Sequence, residues 1–522
     1  MITTSGGAAT NAITGALDAW ADSIPVLIIT GQEKSQFVSE HKNLRMWGVQ
    51  GFDIVKTVEN ITKYAVLITD PKKVKYEFQK AIYLAESGRP GPVWIDIPTD
   101  VQAATIDPSS LESFVPPVEK KVSNFDEKIK LISELISASK RPLFIFGNGV
   151  RLSGSVDILH RSIEKFKVPF LLAWNGIDMV SSSHPLNYGR AGTYGQRAAN
   201  FIVQNADLII TVGTRMAIPQ VGYDLKEFGR DAQKVIIDID ATELDKFASD
   251  KTFTLLQANA KDFLKELNDK LNAPSKEAIA EWISYCDKLR KKYPFVEPNG
   301  MHKEQDGKLN SYSFIDEMNK HFSDDEIIVT DMGTALTCTH QSIMLKEKQR
   351  VVTSTGLGEM GFGLPGAMGA SFAADKKRVV LINGDGSMMM NLQEMQTIIY
   401  HKLPIKLFVY INDGYLTIKH TQNNLFGQKF AGSGEASGVT CPDFQKIGEA
   451  FGFKTFKINS LEEAKTMIPK VLKEDGPVLC EVFIHSMQLL GPKTSFNLNP
   501  DGTLVSPPLE DLYPFLSREE FK

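Results

Sequence analysis

The fold is decided by residues 378–418, RVVLINGDGSMMMNLQEMQTIIYHKLPIKLFVYINDGYLTI. The run RVVLIN is short, apolar and ended by Gly384, which is typical of a buried strand in a parallel sheet. The segment NLQEMQTIIY has helical periodicity, and Asn391 with Glu394 three residues later predicts a capping box. LPIKLFVYI is a second buried strand. The stretch therefore predicts a strand, a glycine-rich turn, a helix and a parallel strand.

Polar residues follow both strands of this unit. Asp385 comes directly after the first strand, between two glycines that allow a tight turn and the close approach of a ligand. Asn412 follows the second strand. Because ligands bind at the carboxyl ends of strands in an open parallel sheet, we expect the two side chains to converge. Their oxygens suit Mg²⁺, whereas a Gly-Asp-Gly sequence alone is more often only a turn.

Length and composition favour a globular enzyme of several domains. The chain has 522 residues, of which 42% are hydrophobic and 23% charged, and this length predicts about three domains. The formal net charge of −5 shows no nucleic-acid footprint. No apolar run reaches the roughly 18 residues of a spanning helix, and no export signal is visible, so we expect a cytoplasmic protein without a membrane partner. Four cysteines without metal or redox spacing predict buried thiols: Cys286, Cys338, Cys441 and Cys480.

Repeated strand-and-helix patterns predict an α/β protein with three doubly wound parallel-sheet domains. The first covers 1–105 and contains the strand PVLIITGQ, which ends at Gln32. The second, Rossmann-like domain covers 125–262 and has three strands that end in glycine or polar turns, RPLFIFGNGVR, ADLIITVGTR and KVIIDID. The third covers 306–490 and contains the opening stretch. Residues 491–522 are rich in proline and predict an extended C-terminal arm.

Three segments resemble one family of enzymes. The opening stretch resembles the thiamine diphosphate motif, which begins with GDG and ends in paired asparagines. In this chain Ile411 stands in place of the first asparagine, and Asn412 is the second. SGGAATN (5–11) resembles the SGPGATN turn of the family's pyrimidine-binding domain, and STGLGEMGFGLPGAMGA (354–370) its glycine-rich segment under the cofactor. Nearly the whole chain is similar to the acetolactate synthase branch. The resemblance makes the first domain pyrimidine-binding and the third diphosphate-binding.

The resemblance implies a cofactor site in the third domain. Asp385, Asn412 and the carbonyl of Gly414 would bind Mg²⁺ against the diphosphate of thiamine diphosphate. A carbonyl near Gly358 would take the 4′-amino group, and Met360 would wedge between the two rings, although a methionine there could simply fill the core. The implied catalytic residues are Gly358, Met360 and Gln32. The implied cofactor contacts of this domain are Gly333, Gly358, Met360, Asp385, Gly386, Ser387, Asn412 and Gly414.

In the acetolactate synthase branch the central domain binds FAD at the turns after its strands. The alternative is a domain that stays empty or binds another nucleotide. Residues 189–201 would form a loop over the site. The residues that the resemblance places at the flavin are Gly147, Asn148, Gly149, Arg151, Gly213, Thr214, Arg215, Asp238 and Asp240.

The implied reaction is decarboxylation of pyruvate and transfer of the two-carbon unit to a second carbonyl, as in branched-chain amino acid biosynthesis. The family's active site lies between subunits, which implies a homodimer or homotetramer, with a regulatory subunit as a possible partner. Three alternatives stay open: transfer to a keto-sugar nucleotide, simple 2-oxo-acid decarboxylation, and a non-catalytic homologue. Lys419 and His420 are candidate substrate contacts, with a surface role as the alternative.

Besides Ile411, two features depart from the family pattern. The branch usually has a lysine where this chain has Thr99, which weakens the assignment to the biosynthetic enzyme itself. In the family, a strand and a helix precede SGPGATN and carry a glutamate that protonates the aminopyrimidine ring. Nothing stands before Met1, so we expect a truncated or late-starting sequence; the alternative is loss of the activating acid.

Overall fold

The computed structural model describes residues 1–39, 44–46, 49–118, 124–495, 497–498, 501 and 503–521. The chain forms two compact units, residues 1–123 with 354–357, and residues 124–353 with 358–522. The described residues build three parallel sheets, flanked by helices, and these confirm the predicted α/β class. None of the described helices combines the length and apolar character needed to cross a bilayer.

The first unit contains a four-stranded sheet in the order β1-β2-β4-β3. Its strands are β1 (Ile2–Thr3), β2 (Leu27–Gln32), β3 (Tyr64–Leu67) and β4 (Val93–Pro98). Its helices are α1 (Gly7–Asn11), α2 (Ile13–Ala21), α3 (Ser35–Ser39), α4 (Ile54–Val58), α5 (Val74–Glu86) and α6 (Thr99–Gln102). The strand predicted to end at Gln32 is confirmed, and residues 7–11 of the SGGAATN segment form α1.

The second unit begins with a five-stranded sheet in the order β6-β5-β7-β8-β9. Its strands are β5 (Pro142–Phe146), β6 (Phe170–Leu172), β7 (Leu208–Val212), β8 (Gln233–Asp238) and β9 (Phe253–Gln257). Its helices are α7 (Phe125–Ala138), α8 (Gly149–Leu152), α9 (Val156–Phe166), α10 (Arg197–Asn205), α11 (Ile218–Val221), α12 (Ala241–Asp245), α13 (Ala260–Lys270) and α14 (Lys276–Lys292). The strand order reverses between β5 and β7, and such a switch point is where doubly wound sheets bind ligands.

The same unit contains a six-stranded sheet in the order β11-β10-β12-β13-β15-β14. Its strands are β10 (Ile327–Thr330), β11 (Arg350–Val352), β12 (Val379–Gly384), β13 (Ile405–Ile411), β14 (Lys454–Ile458) and β15 (Val478–Phe483), and a short hairpin follows, β16 (Asn497–Leu498) with β17 (Leu504–Val505). The helices are α15 (Ser311–Asn319), α16 (Thr334–Ser342), α17 (Gly363–Ala373), α18 (Asp385–Met388), α19 (Glu394–His401), α20 (Leu416–Leu425), α21 (Phe444–Phe451), α22 (Leu461–Lys473) and α23 (Arg518–Phe521). The strand order reverses between β10 and β12, and Asp385 directly follows β12.

Two segments that follow the predicted domains pack onto the central sheet. The core around β5 continues past residue 262, because Phe263, Leu267 and Ile279 are buried in it. The C-terminal arm also lies against this domain. Leu509 joins its second core cluster, and Asn200 of α10 donates a hydrogen bond of 2.7 Å to the Leu509 carbonyl.

The predicted capping box is wrong. Helix α19 begins at Glu394 with Gln393 before it, and no side chain caps its first turn. The Asn391 side chain instead donates to the carbonyl of Gly361 at 2.8 Å. Glu394 accepts from Thr397 at 3.0 Å. A tertiary contact therefore displaces the local cap that the spacing indicated.

His302 links the linker after α14 to the C-terminal arm. Its Nδ1 accepts from the amide of Glu297, and its Nε2 donates to the carbonyl of Gly491, each at 3.0 Å. The ring is 1% exposed, and burial lowers the pKa of His302 to about 4. The bond that Nδ1 accepts requires the neutral ring, and burial disfavours the charged one, so the folded chain resists a proton that the unfolded chain accepts below pH of about 6.5.

The burial of His302 predicts that the folding stability of the protein decreases in acid. As the pH falls from about 6.5 to 4, the unfolded state gains a proton first, so folding stability should decrease by up to about 3 kcal/mol from this group. We expect His302→Gln to lower the thermal midpoint at pH 7.5 but to lose less between pH 7.5 and 5 than the wild type. A parallel loss in both proteins over that range would contradict the assignment.

Candidate cofactor site

Asp385 and Asn412 meet at the carboxyl ends of two neighbouring strands. The register pairs Gly384 of β12 with Tyr410 of β13, so both chains leave the sheet at one place. One carboxylate oxygen of Asp385 accepts from the amide of Asn412 at 2.9 Å and from the amide of Gly414 at 3.1 Å. The predicted convergence is confirmed.

Oxygen-bearing groups of three residues face one another at this point. The side-chain oxygen of Asn412 lies 2.8 Å from the carbonyl oxygen of Gly414, and 3.0 and 3.3 Å from the Asp385 carboxylate oxygens. An octahedral Mg²⁺ with ligands at about 2.1 Å keeps neighbouring oxygens about 3 Å apart. Without a cation the Asn412 amide gains hydrogen bonds by turning its nitrogen toward Asp385 and Gly414, and a bound cation would reverse that preference. The residues fit Mg²⁺.

Asp385 is the one carboxylate among these three groups, and no group of three or more His, Cys, Asp or Glu residues suited to a metal occurs in the described part of the chain. A Mg²⁺ site of this kind needs further oxygens, which substrate phosphates usually supply. Burial raises the pKa of the Asp385 carboxyl, while the amides of Asn412, Gly414 and Gly386 lower it. Those amides favour the charged carboxylate that binds a cation.

The backbone around the oxygens has little freedom. Asp413 has φ of 61° and Gly414 has φ of 107°. A Cβ on Gly414 would lie 2.7 Å from the carbonyl oxygen of Ser433, and one on Gly386 would lie 2.3 Å from the Tyr415 ring. Glycine is therefore required at both positions, because neighbouring chain packs directly on the metal loop, residues 412–414.

The residues expected to face the diphosphate differ in their surroundings. Gly333 has φ of 78°, precedes α16, and has open space where a Cβ would stand. Gly384 is equally open. The amide of Gly386 donates to Asp385 at 2.7 Å, and the Ser387 hydroxyl is hydrogen-bonded to Asp331. The open face thus lies at Gly333 and Gly384, at the switch point between β10 and β12.

Asp331 organises the glycine-rich segment, and the sequence reasoning missed it. It follows β10 and is 1% exposed. Its carboxylate accepts from the amide of Gly363 at 2.7 Å and from that of Gly361 at 3.1 Å. Burial raises the pKa of the Asp331 carboxyl, and these amides oppose the rise. The sequence signal that could have identified Asp331 is an aspartate directly after an apolar strand, which is the same pattern as at Asp385.

Met360 lies in the glycine-rich segment that Asp331 holds, and its side chain is partly exposed. It is 38% exposed, which argues against the core-filling alternative within this unit. The adjacent Gly361 has φ of 95°, and a Cβ there would lie 2.6 Å from Met390. Gly358 has φ of 75°, and a Cβ there would lie 2.7 Å from Met332. The loop that presents Met360 therefore depends on glycines on both sides.

The three turns predicted for a flavin lie at one edge of the central sheet, after β5, β7 and β8. Two of them touch, because a Cβ on Gly147 would lie 2.3 Å from the Gly213 oxygen, and one on Gly149 would lie 2.7 Å from the Gly213 Cα. Thr214 donates to Gln220 at 2.7 Å. Glycines at these turns thus permit contact between backbones at the switch point.

Several polar residues in these three turns already have partners within the protein. Arg151 donates to the Asn148 side chain at 2.9 Å and pairs with Asp178. Asp240 accepts from the amide of Thr242 at 3.0 Å and starts α12, while its own amide donates to Asp238 at 3.0 Å. The carbonyl of Arg215 accepts from Lys246. The turns and their position fit a dinucleotide.

Three other predicted residues are held by their own surroundings. In the first unit, the Gln32 amide donates to the Phe52 carbonyl and to Asp96, each at 2.9 Å, and its oxygen accepts from Glu33 at 2.9 Å. In the second unit, His420 contacts the Gln488 carbonyl at 2.8 Å. Lys419 is 8% exposed and donates to the metal loop. These contacts favour positioning roles over direct substrate contact.

Comparison with known proteins agrees with this geometry. Profiles of the thiamine pyrophosphate enzyme family match three parts of the chain: the N-terminal TPP-binding domain over residues 1–56, the central domain over 129–274 and the C-terminal TPP-binding domain over 331–482. This chain belongs to the thiamine pyrophosphate enzyme family. The matched C-terminal domain contains the oxygen cluster around Asp385.

Similar proteins cover most of the chain. The acetolactate synthase isozyme 1 large subunit of Escherichia coli K12 is 32% identical over 94% of this chain and 83% of its own length. The acetolactate synthase large subunit of Lactococcus lactis subsp. lactis IL1403 is 32% identical over 96% of this chain and 84% of its own length. The acetolactate synthase isozyme 2 large subunit of E. coli K12 is 30% identical over 98% of this chain and 88% of its own length.

Family membership identifies the cofactor and the class of enzyme. The chain is a thiamine-diphosphate-dependent enzyme of the transferase and carboligase type. Mg²⁺ and FAD are typical of this family.

Proposed function

We propose that this enzyme decarboxylates pyruvate and transfers the two-carbon unit to a second carbonyl compound, as an acetolactate synthase does. The observation that carries the proposal is the oxygen cluster of Asp385, Asn412 and Gly414, in a chain similar over most of its length to acetolactate synthase large subunits. The names of those relatives support the choice of substrate and product.

Thiamine diphosphate, when bound, supplies the carbon nucleophile and the electron sink for decarboxylation. The residues of this chain bind and orient it. Asp385, Asn412 and the Gly414 carbonyl would hold Mg²⁺, whose charge would neutralise the diphosphate, while Gly333 and the Gly386–Ser387 turn would lie near the phosphates. Met360 would pack against the two rings of the cofactor, and the Gly358 carbonyl would accept from its aminopyrimidine.

We further propose an FAD site at the turns after β5, β7 and β8. Its contacts would be Gly147, Asn148, Gly149, Arg151, Gly213, Thr214, Arg215, Asp238 and Asp240. The position of these turns at a switch point of the sheet supports the proposal. We also propose that the chain divides into three domains, at residues 1–105, 125–262 and 306–490, and a C-terminal arm at 491–522. The assembly that we propose is a homodimer or homotetramer with a regulatory subunit as partner.

The test is an incubation of the purified protein with pyruvate, thiamine diphosphate and Mg²⁺. We expect CO₂ release and, after acid treatment, acetoin derived from acetolactate. Aldehyde without a ligation product would indicate a simple decarboxylase. Cofactor-dependent CO₂ release that yields a ligation product only when a keto-sugar nucleotide is added would indicate that acceptor. Tight cofactor binding without any turnover of pyruvate would contradict the proposal and favour a non-catalytic homologue.

Asp331 provides a test of the loop that presents Met360. Replacing Asp331 with Asn keeps the volume but removes the charge that accepts from Gly361 and Gly363. Because displacement of a positioned group by about 1 Å can cost roughly 100-fold in rate, we expect kcat to fall by about that factor. The Mg²⁺ concentration for half-saturation should change little. Equal kcat in the variant and the wild type would show that Asp331 does not position this loop.

A further inference from the structure

Lys419 is a buried cation directly behind the metal loop. It lies in α20, the helix that follows the loop, and only 8% of its surface is exposed. Its ammonium group donates to the carbonyl of Asp413 at 2.8 Å and to the carbonyl of Asn412 at 3.1 Å. Burial of an ammonium group is costly, so its retention here requires compensation by these bonds and by nearby negative charge.

The two bonds hold the two peptide groups that lie between the Asn412 side chain and the Gly414 carbonyl. The peptide between Asp413 and Gly414 is held at both ends, since its carbonyl accepts from Lys419 and its amide donates to Asp385 at 3.1 Å. The preceding peptide accepts from Lys419 through the Asn412 carbonyl. The positions of the Asn412 side chain and the Gly414 carbonyl both follow from the orientation of these two peptides.

The lysine side chain is itself confined by the turn at residues 432–438. A Cβ on Gly434 would lie 2.9 Å from the Cε of Lys419 and 3.1 Å from the Asp413 carbonyl oxygen. The Ser433 carbonyl accepts from the Tyr415 amide at 2.9 Å, which ties the turn to the start of α20. Lys419 therefore has little room to leave the loop.

We propose that Lys419 is a positioning residue for the Mg²⁺–diphosphate site, which orients the metal loop and adds positive charge behind it. The inference rests on the family's cofactor and adds to the proposed function a residue outside the metal ligands. A lysine held in this way sets the geometry of the Asn412 and Gly414 oxygens before Mg²⁺ arrives. It also opposes the net negative charge of Asp385, Mg²⁺ and the diphosphate.

The experiment titrates Mg²⁺ into metal-free protein at a fixed, saturating concentration of thiamine diphosphate and follows binding by calorimetry. Residues that support metal ligands typically change metal affinity by about 10-fold to 100-fold. We expect Lys419→Met to raise the Mg²⁺ concentration for half-saturation at least about 10-fold, and Lys419→Arg to recover most of that loss. Lys429→Met, which removes an exposed lysine from the same segment, should behave as the wild type.

The thermal midpoint of the metal-free proteins separates positioning from general stability. A lower midpoint in Lys419→Met with unchanged Mg²⁺ dependence would overturn the proposal. If that variant does not fold, Lys419→Gln decides, because it keeps donors without the charge: unchanged Mg²⁺ dependence there would also overturn it. The readout is binding, so a wild type that binds the cofactor without pyruvate turnover would contradict the proposed function but not this inference.

Discussion

Replacing Asp385 with Asn is expected to lower the affinity for thiamine diphosphate in the presence of Mg²⁺ by about 100-fold or more. The aspartate supplies the only carboxylate of the oxygen cluster, and its oxygens lie 3.0 and 3.3 Å from the side-chain oxygen of Asn412. The asparagine keeps the shape but lacks the negative charge that a hard cation requires. Calorimetric titration of the cofactor with and without Mg²⁺ measures the effect.

The matched control is Asp475→Asn, which removes an exposed carboxylate from the same domain. It should bind the cofactor as the wild type does. Asp385 also accepts from three backbone amides, so a loss of folding has to be separated from a loss of binding. Circular dichroism of the metal-free variant provides that check. Undiminished affinity and Mg²⁺ dependence in folded Asp385→Asn would contradict the entire cofactor assignment.

Replacing Asp178 with Asn should have the largest effect on stability. Asp178 is buried and pairs with Arg151 of the central domain and with Arg350 of β11. It also accepts from the amide of Val351 at 2.9 Å. Removing one partner of a buried ionic cluster typically costs about 3–5 kcal/mol, because the remaining charges lose compensation. Arg350 is partly exposed, so we expect the lower end of that range.

Thermal unfolding at one scan rate tests this expectation, since a chain of several domains need not unfold reversibly. We expect a decrease of several degrees in the midpoint of Asp178→Asn. Asp269→Asn, which alters an exposed carboxylate on α13, should leave the midpoint unchanged. Because Arg151 is also a proposed flavin contact, any FAD content should decrease with the midpoint. A midpoint equal to that of the wild type would show that the two arginines need no counter-ion.

Much of the cofactor site could be predicted because it depends on chain-local signals. Short apolar runs ended by glycine, aspartate or asparagine mark β12 and β13, and neighbouring parallel strands bring their ends together. Asp385 and Asn412 follow from that rule, as do the turns of the central sheet. The prediction of buried thiols is confirmed for Cys286, Cys338 and Cys480 but is wrong for Cys441, which is partly exposed.

Contacts between distant segments could not be predicted from spacing. Asn391 has the spacing of a helix cap, yet it contacts Gly361, which is 30 residues away. The amide of Gln32 is committed to Asp96, 64 residues further along the chain. In both cases a polar side chain adjusts to the partner that packing brings near, and that partner has no local signature.

The sequence by itself determined the α/β architecture and the pair Asp385 and Asn412, because periodicity and strand-end chemistry are local properties. The thiamine diphosphate motif was identified by resemblance to a known family. Only the tertiary structure decided that Asp331 holds the Met360 loop, that Lys419 lies beneath the metal loop, and that Asp178 joins two arginines. Each of these roles depends on which buried donors and acceptors meet after folding. A buried polar group must be paired wherever the chain places it, and the partner is chosen by packing rather than by sequence distance.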